Sequence, residues 1–187
     1  MYDLVTFGEA MIRLTAPDFM RLEQATSLSM SAGGAELNVA VNGAQLGLRA
    51  AWVSRLVDNW SGRFIRNKGR ELGVDMSHIV WAPFDGIGLE RNGFYHLEMG
   101  AGPRASSVTY DRGHSAISNI QPGEVDWASI FRSASTLAGR NASYSVTSST
   151  RARASSHSLS TPPWVSSRGR MYCTRRSISS RARRATG

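Results

Sequence analysis

The chain has 187 residues, with 22 Lys and Arg against 14 Asp and Glu, and its single cysteine, Cys173, rules out an intramolecular disulfide. No apolar run approaches the roughly 18 residues of a membrane helix, and Met1 to Ala10 has neither the basic start nor the apolar stretch of a secretory signal. The expectations are a cytoplasmic location and no membrane role. Charge then divides the chain. All fourteen acids lie between Asp3 and Asp126; up to Arg132 twelve basic residues meet fourteen acidic ones, net −2, whereas from Ser133 to Gly187 ten arginines meet none, net +10. The reading is a globular part over residues 1–132 followed by a low-complexity basic tail over 133–187.

Taken in chain order, Asp3 to Phe7 is short, β-branched and aromatic, which predicts a strand ending at Gly8. Met11 to Leu14 predicts a second extended piece before Pro17, and the alternation in Ser27 to Ser31 a third. After Gly33-Gly34, the apolar residues Leu37, Ala40, Val41, Ala44 and Leu46 fall near helical spacing until Gly47, predicting a helix over Ala35 to Leu46 with a glycine-rich entrance. Gly43 inside that helix costs about 1 kcal/mol relative to alanine, so packing must offset it.

Ala50 to Val57 is a largely apolar run of strand length, and Ser61 to Leu72 reads as a polar helix burying Phe64, Ile65 and Leu72. Val74 to Val80 is expected to be extended. Gly93 to Met99 and Ser107 to Tyr110 alternate around Gly100-Ala101-Gly102-Pro103 and predict a hairpin-like pair. Alternating strands and helices imply an α/β fold, a parallel sheet covered on both faces with a smaller β layer or lid beside it. From Ser133 onward there are fifteen serines and ten arginines, no acid and no run of four apolar residues, a composition that favours disorder.

Several stretches resemble the amino-terminal half of the ribokinase-like (PfkB) carbohydrate kinases. "DLVTFGEAMIRL" resembles the family's first strand with its Gly-Glu pair, "SAGGAELNVAVNGAQLG" its glycine-glycine helix entrance, and "VSRLVDNWSGRFIRNKGRELGVD" its Asp-containing turn and following helix. "NGFYHLEMGAGPRASSVTYDRGHSAIS" resembles the lid and substrate strands of the 2-keto-3-deoxygluconate kinase branch. The resemblance covers about Asp3 to Phe131. It implies the first part of a ribokinase-like doubly wound sheet with a small β lid, and descent from a kinase that phosphorylates 2-dehydro-3-deoxy-D-gluconate with ATP and Mg. Pairing of two copies through their lids is a further implication.

The same resemblance assigns substrate-binding positions to Tyr95, Tyr110 and Arg112, and the residues at the helix entrance, Gly33, Gly34 and Asn38, are read as substrate-binding with them. The chemistry of these residue types agrees. Two glycines let a ligand approach backbone N–H groups at a helix N-terminus, although such a pair also suits a turn needing positive φ. Asn38 offers an amide to hydroxyls, and Tyr95 and Tyr110 are otherwise ordinary half-buried strand aromatics. Arg112 is the informative residue, because a guanidinium forks onto a carboxylate and a sugar acid carries one. Asp58 resembles one acid of the family's turn, with Asn59 where a second acid is common and Val57, Trp60 and Ser61 departing from the usual residues.

The family's catalytic aspartate follows a Gly-Ala-Gly run in its second half, and this sequence contains no carboxylate side chain after Asp126. No catalytic residue is therefore assigned, ATP and Mg binding is implied by resemblance alone, and the chain is expected to be a truncated form inactive on its own. Asp111 is a poor substitute base, and His78, His96, His114 and His157 lack metal spacing. Twenty-one arginines against the single Lys68 suit a GC-rich gene, in which a frame lost near residues 132–140 would give such a tail. Two other roles follow from the residues: a non-catalytic sugar-acid binder, and a tail that contacts nucleic acid phosphates non-specifically and salt-dependently.

Overall fold

The computed structural model describes residues 1–139 and the strand Ala142–Ser145. Two sheets share the work. The first has strand order β5-β4-β1-β8-β9, built from β1 (Leu4–Phe7), β4 (Ala50–Val57), β5 (Ile79–Ala82), β8 (Thr136–Gly139) and β9 (Ala142–Ser145). Its first four strands run parallel, and β9 returns antiparallel to β8. The second sheet has order β3-β2-β6-β7, with β2 (Met11–Thr15), β3 (Ser29–Gly33), β6 (Gly93–Glu98) and β7 (Ser107–Asp111).

β4 explains why the first sheet is the core. Its eight residues are buried at every position except Arg55, as expected of a parallel strand covered on both faces. Side chains alternate: Ala50, Trp52 and Leu56 join a cluster with Leu37, Ala40 and Ile65, while Ala51 and Val53 join Val5, Val125 and Ile130 on the other side. The first face is covered by α1 (Ala35–Gln45) and α2 (Trp60–Glu71), the second by α3 (Trp127–Ser133). Gly43 earns its place in α1 by contact, since a Cβ there would sit 2.8 Å from Leu4 Cδ2. Close packing of helix on strand thus offsets its poor helix propensity.

α2 begins at an Asn59 cap whose Oδ1 accepts from the N–H groups of Ser61 and Gly62 at 3.0 and 3.1 Å. The same Oδ1 accepts from Asn92 Nδ2 at 3.1 Å, and Asn92 Oδ1 accepts from Val57 N–H at 2.9 Å. Asn92 is 2% exposed, so this network is desolvated and fixes the start of β6 against the β4–α2 turn. The departures at Val57, Asn59, Trp60 and Ser61 therefore leave a formed, capped turn.

Two expectations need correction. The boundary at Arg132 falls inside α3, whose cap is Asp126, accepting from Ser129 N–H at 2.9 Å. Beyond it β8 pairs with the central strand β1, Val5 with Leu137 and Phe7 with Gly139, so the fold runs past residue 132. The extended segment expected over Val74 to Val80 is regular only from Ile79, because Asp75 Oδ1 turns the chain by accepting from Ser77 N–H at 2.8 Å. The rest of the basic tail, with its proposed disorder and nucleic-acid contacts, lies outside the described residues.

Candidate functional site

Register decides which side chains of the second sheet meet. Ile12 pairs with Ala32 and Phe94, and Leu14 with Met30 and His96; Ile12, Leu14, Ala32 and Phe94 all pack onto the core cluster that contains α1 and α2. The intervening residues occupy the opposite face. There Ser31, Arg13, Tyr95 and Tyr110 form one row across β3, β2, β6 and β7. The Tyr95 and Tyr110 rings lie 5.8 Å apart, tilted by 37°, and Arg13 Nε donates to Ser31 Oγ at 2.9 Å. Tyr110 is 59% exposed, so this face is open where the other is packed.

The glycine entrance joins the same face. Gly34 caps α1 with φ 178° and ψ 139°, an extended conformation open to any residue, so a positive-φ turn is not the reason for glycine. Contact is: a Cβ on Gly34 would lie 2.3 Å from the Glu9 carbonyl oxygen and 2.9 Å from Ala10 Cα. A Cβ on Gly33 would lie 2.4 Å from the Tyr95 hydroxyl. The Tyr95 ring thus reaches across β2 and presents its hydroxyl at the helix entrance.

Arg112, the residue following β7, ion-pairs with Glu9 Oε2 from the β1–β2 turn. The Glu9 side chain is 11% exposed and that of Arg112 36%. Gly93 lies between them, since a Cβ there would stand 3.1 Å from Glu9 Oε1 and 3.3 Å from Arg112 Cβ. One of the five guanidinium N–H donors is engaged by Glu9, which leaves others for a ligand. Five of the six expected residues, Gly33, Gly34, Tyr95, Tyr110 and Arg112, therefore border one open face or its helix entrance. Asn38 is exposed on α1 and its side chain makes no hydrogen bond among the described residues, so no contact joins it to that group.

The acids near this face are already committed. Asp111 points to the opposite side of β7 and pairs with Arg91, whose hydrogen bonds hold its carboxyl below the ordinary value against a small opposing effect of burial. Such a group is a poor proton acceptor. Asp58 pairs at the surface with Arg63 at 3.0 Å. Glu9, Arg13 and Asn92 were not singled out as site residues, because Glu9 and Arg112 are 103 positions apart and no spacing rule connects them.

Among the described residues no group of three or more His, Cys, Asp or Glu side chains is placed to hold a metal ion. The first turn of α1 carries Glu36, whose carboxylate packs against Gly8, and Glu9 stands beside its cap. No helix of the described residues is long and apolar enough to cross a membrane.

Comparison with known proteins gives a consistent result. The pfkB family carbohydrate kinase profile matches residues 1–146. A 2-dehydro-3-deoxygalactonokinase of Haloferax volcanii is 42% identical over 123 residues, covering 66% of this chain and 37% of the relative. A 5-dehydro-2-deoxygluconokinase of Shouchella clausii is 34% identical over 137 residues, 73% of this chain and 40% of the relative. The crystal structure of a 2-dehydro-3-deoxygluconokinase of Thermotoga maritima superposes with a TM-score of 0.69 at 40% identity, over 74% of this chain and 41% of that one. The chain thus spans about two-fifths of the length of these relatives.

Proposed function

The chain belongs to the pfkB family of carbohydrate kinases, and from that premise we propose that its described part is the acceptor side of a sugar-acid kinase, taking 2-dehydro-3-deoxy-D-gluconate. The observation that carries this reading is Arg112, held by Glu9 at the end of the strand that carries Tyr110, with Tyr95 and Tyr110 on the open sheet face and the Tyr95 hydroxyl against Gly33 at the helix entrance. A carboxylate binds a planar fork with two parallel hydrogen bonds, and the neighbouring hydroxyls and backbone N–H groups suit a polyol. The names of the similar proteins support an acid, since each is a kinase of a keto-deoxy sugar acid, although they differ in sugar series and carbon positions.

In this reading Arg112 holds the carboxylate, Tyr95 and Tyr110 fix the carbon chain over the sheet, and the packed glycines set how closely it approaches α1. ATP, which pfkB kinases bind, supplies the transferred phosphoryl group. Accepting the hydroxyl proton calls for a base, and neither Asp111 nor Asp58 is free for that task. The proposal is that these 187 residues bind the acid without phosphorylating it.

Calorimetric titration with 2-keto-3-deoxygluconate and, separately, ribose tests the reading. Saturable binding of the acid with ribose at least about tenfold weaker is expected, as loss of one charge-assisted hydrogen-bond pair requires. Equal affinity for both sugars, or none for the acid, would contradict it. A coupled assay with ATP checks the second part, where turnover by this chain alone is the contrary result.

A further inference from the structure

The open face of the second sheet carries a charge that no neighbour on it balances. Register puts Glu98 and Asp111, the acids of its four strands, on the side of Phe94, and Arg13 on the side of Tyr95 and Tyr110. Arg13 is exposed and makes no ion pair among the described residues, its one hydrogen bond there running from Nε to Ser31 Oγ at 2.9 Å. We propose that Arg13 is a specificity-determining residue whose guanidinium draws the carboxylate of the sugar acid onto this face, while Arg112 fixes its direction. The inference rests on the sugar-acid reading above and adds a residue that the reading did not include.

Position supports it first. β2 lies between β3 and β6, so Arg13 stands inside the sheet, in register with Ser31 and Tyr95. Two residues earlier, about 7 Å along the strand, Met11 is in register with Gly33 of the helix entrance and with Gly93 beside Arg112. Arg13 therefore adjoins the residues assigned to the acid. With Nε tied to Ser31, its four remaining N–H donors meet no acceptor among the described residues, and a side chain so exposed is open to a solute.

Charge supports it second. Glu9 balances the charge of Arg112, so that fork directs a carboxylate without adding a net positive field. Arg13 adds one. At the surface an unbalanced cation attracts an anion over several ångströms, salt screens that attraction with a length of about 10 Å at 0.1 M, and a neutral sugar gains nothing from it. Arg66 and Arg70 also make no ion pair among the described residues, but both stand on α2, which packs against the other side of the second sheet.

The experiment titrates the full 187-residue chain, and its Arg13→Gln and Arg13→Lys variants, with 2-keto-3-deoxygluconate and with ribose, by calorimetry at low and at high salt. Arg13→Gln is expected to lower affinity for the acid about three- to tenfold at low salt, leave ribose unchanged and flatten the salt dependence, with Arg13→Lys recovering most of the loss. The arginines beyond residue 132 are common to all three proteins, so differences between them isolate position 13. Equal loss for both sugars would reduce Arg13 to a support of the sheet and overturn the proposal, and an Arg13→Lys variant as weak as Arg13→Gln would overturn it by removing charge as the cause. Unchanged affinity for the acid would overturn it too, and with altered self-association in sedimentation would assign Arg13 to a contact between copies. Wild-type protein that binds neither sugar, or both equally, would instead bring down the sugar-acid reading itself, a result distinct from selective binding that ignores Arg13.

Discussion

β4 is buried at seven of its eight positions, whereas β7 is exposed at all five, and the difference separates what folds this chain from what it can bind. The central strands β1 and β4 lie between α1 and α2 on one side and α3 on the other, so their side chains serve packing. β2, β3 and β6 of the second sheet pack Ile12, Leu14, Ala32 and Phe94 onto the core and leave the opposite face open, and the tyrosines and the arginine stand there. Alternation along a strand lets one sheet hold a core contact and a ligand surface with neighbouring residues.

That division should break most visibly at the core. Trp52→Ala leaves a large cavity in a 0% exposed site and is expected to cost about 3–5 kcal/mol in urea unfolding, with loss of binding only through loss of the fold. Gly34→Ala sharpens the comparison, because it lies where the two regions meet. Its Cβ must displace the Glu9 carbonyl, so about 1–3 kcal/mol of stability and the sugar-acid affinity should fall together.

Arg112→Gln tests the open face by itself. Sugar-acid affinity is expected to drop about tenfold or more in calorimetry, with a smaller loss of stability from the Glu9 carboxylate left without its partner, and a stability loss as large as that of Trp52→Ala would erase the distinction between the regions. Asn59→Ala removes the α2 cap and the acceptor for Asn92, for about 1 kcal/mol in denaturant titration, and shifts NMR signals at the start of β6.

The smallest effect concerns acid. Burial raises the Asp75 carboxyl, but hydrogen bonds from Tyr2 and Ser77 outweigh it and hold the group below its ordinary value. A carboxyl depressed on folding adds stability above its unfolded value, near about 3.9, and loses it as pH falls through the folded one. Asp75→Asn should therefore destabilise at neutral pH and flatten the acid limb of a stability profile, and an unchanged limb would show that Asp75 contributes nothing there.

The sequence was most informative where one residue type recurs with a simple period. β4 was read to the residue from its apolar run, and α1 and α2 to within one or two positions from helical spacing and the glycines that close them. α3 and β8 were obscured because they are short and set among serines, in the region where the acids stop, although Asp126 followed by Trp127, Ile130 and Phe131 is a cap before a helical pattern. Gly33 and Gly34 were recognised as a place of close approach, yet the partners, Tyr95 and the Glu9 backbone, emerge only from register. Glu9 is legible only as half of the Gly-Glu pair after the first strand, since its ion pair with Arg112 joins residues 103 positions apart.

The open face of the second sheet is most directly tested by mapping NMR shifts of the 187-residue chain during titration with 2-keto-3-deoxygluconate. Saturable changes centred on Gly33, Gly34, Tyr95, Tyr110 and Arg112, with the signals of Trp52 and Ile65 unmoved, are the expected result. Changes confined to other surfaces, or no changes up to millimolar ligand, would contradict it.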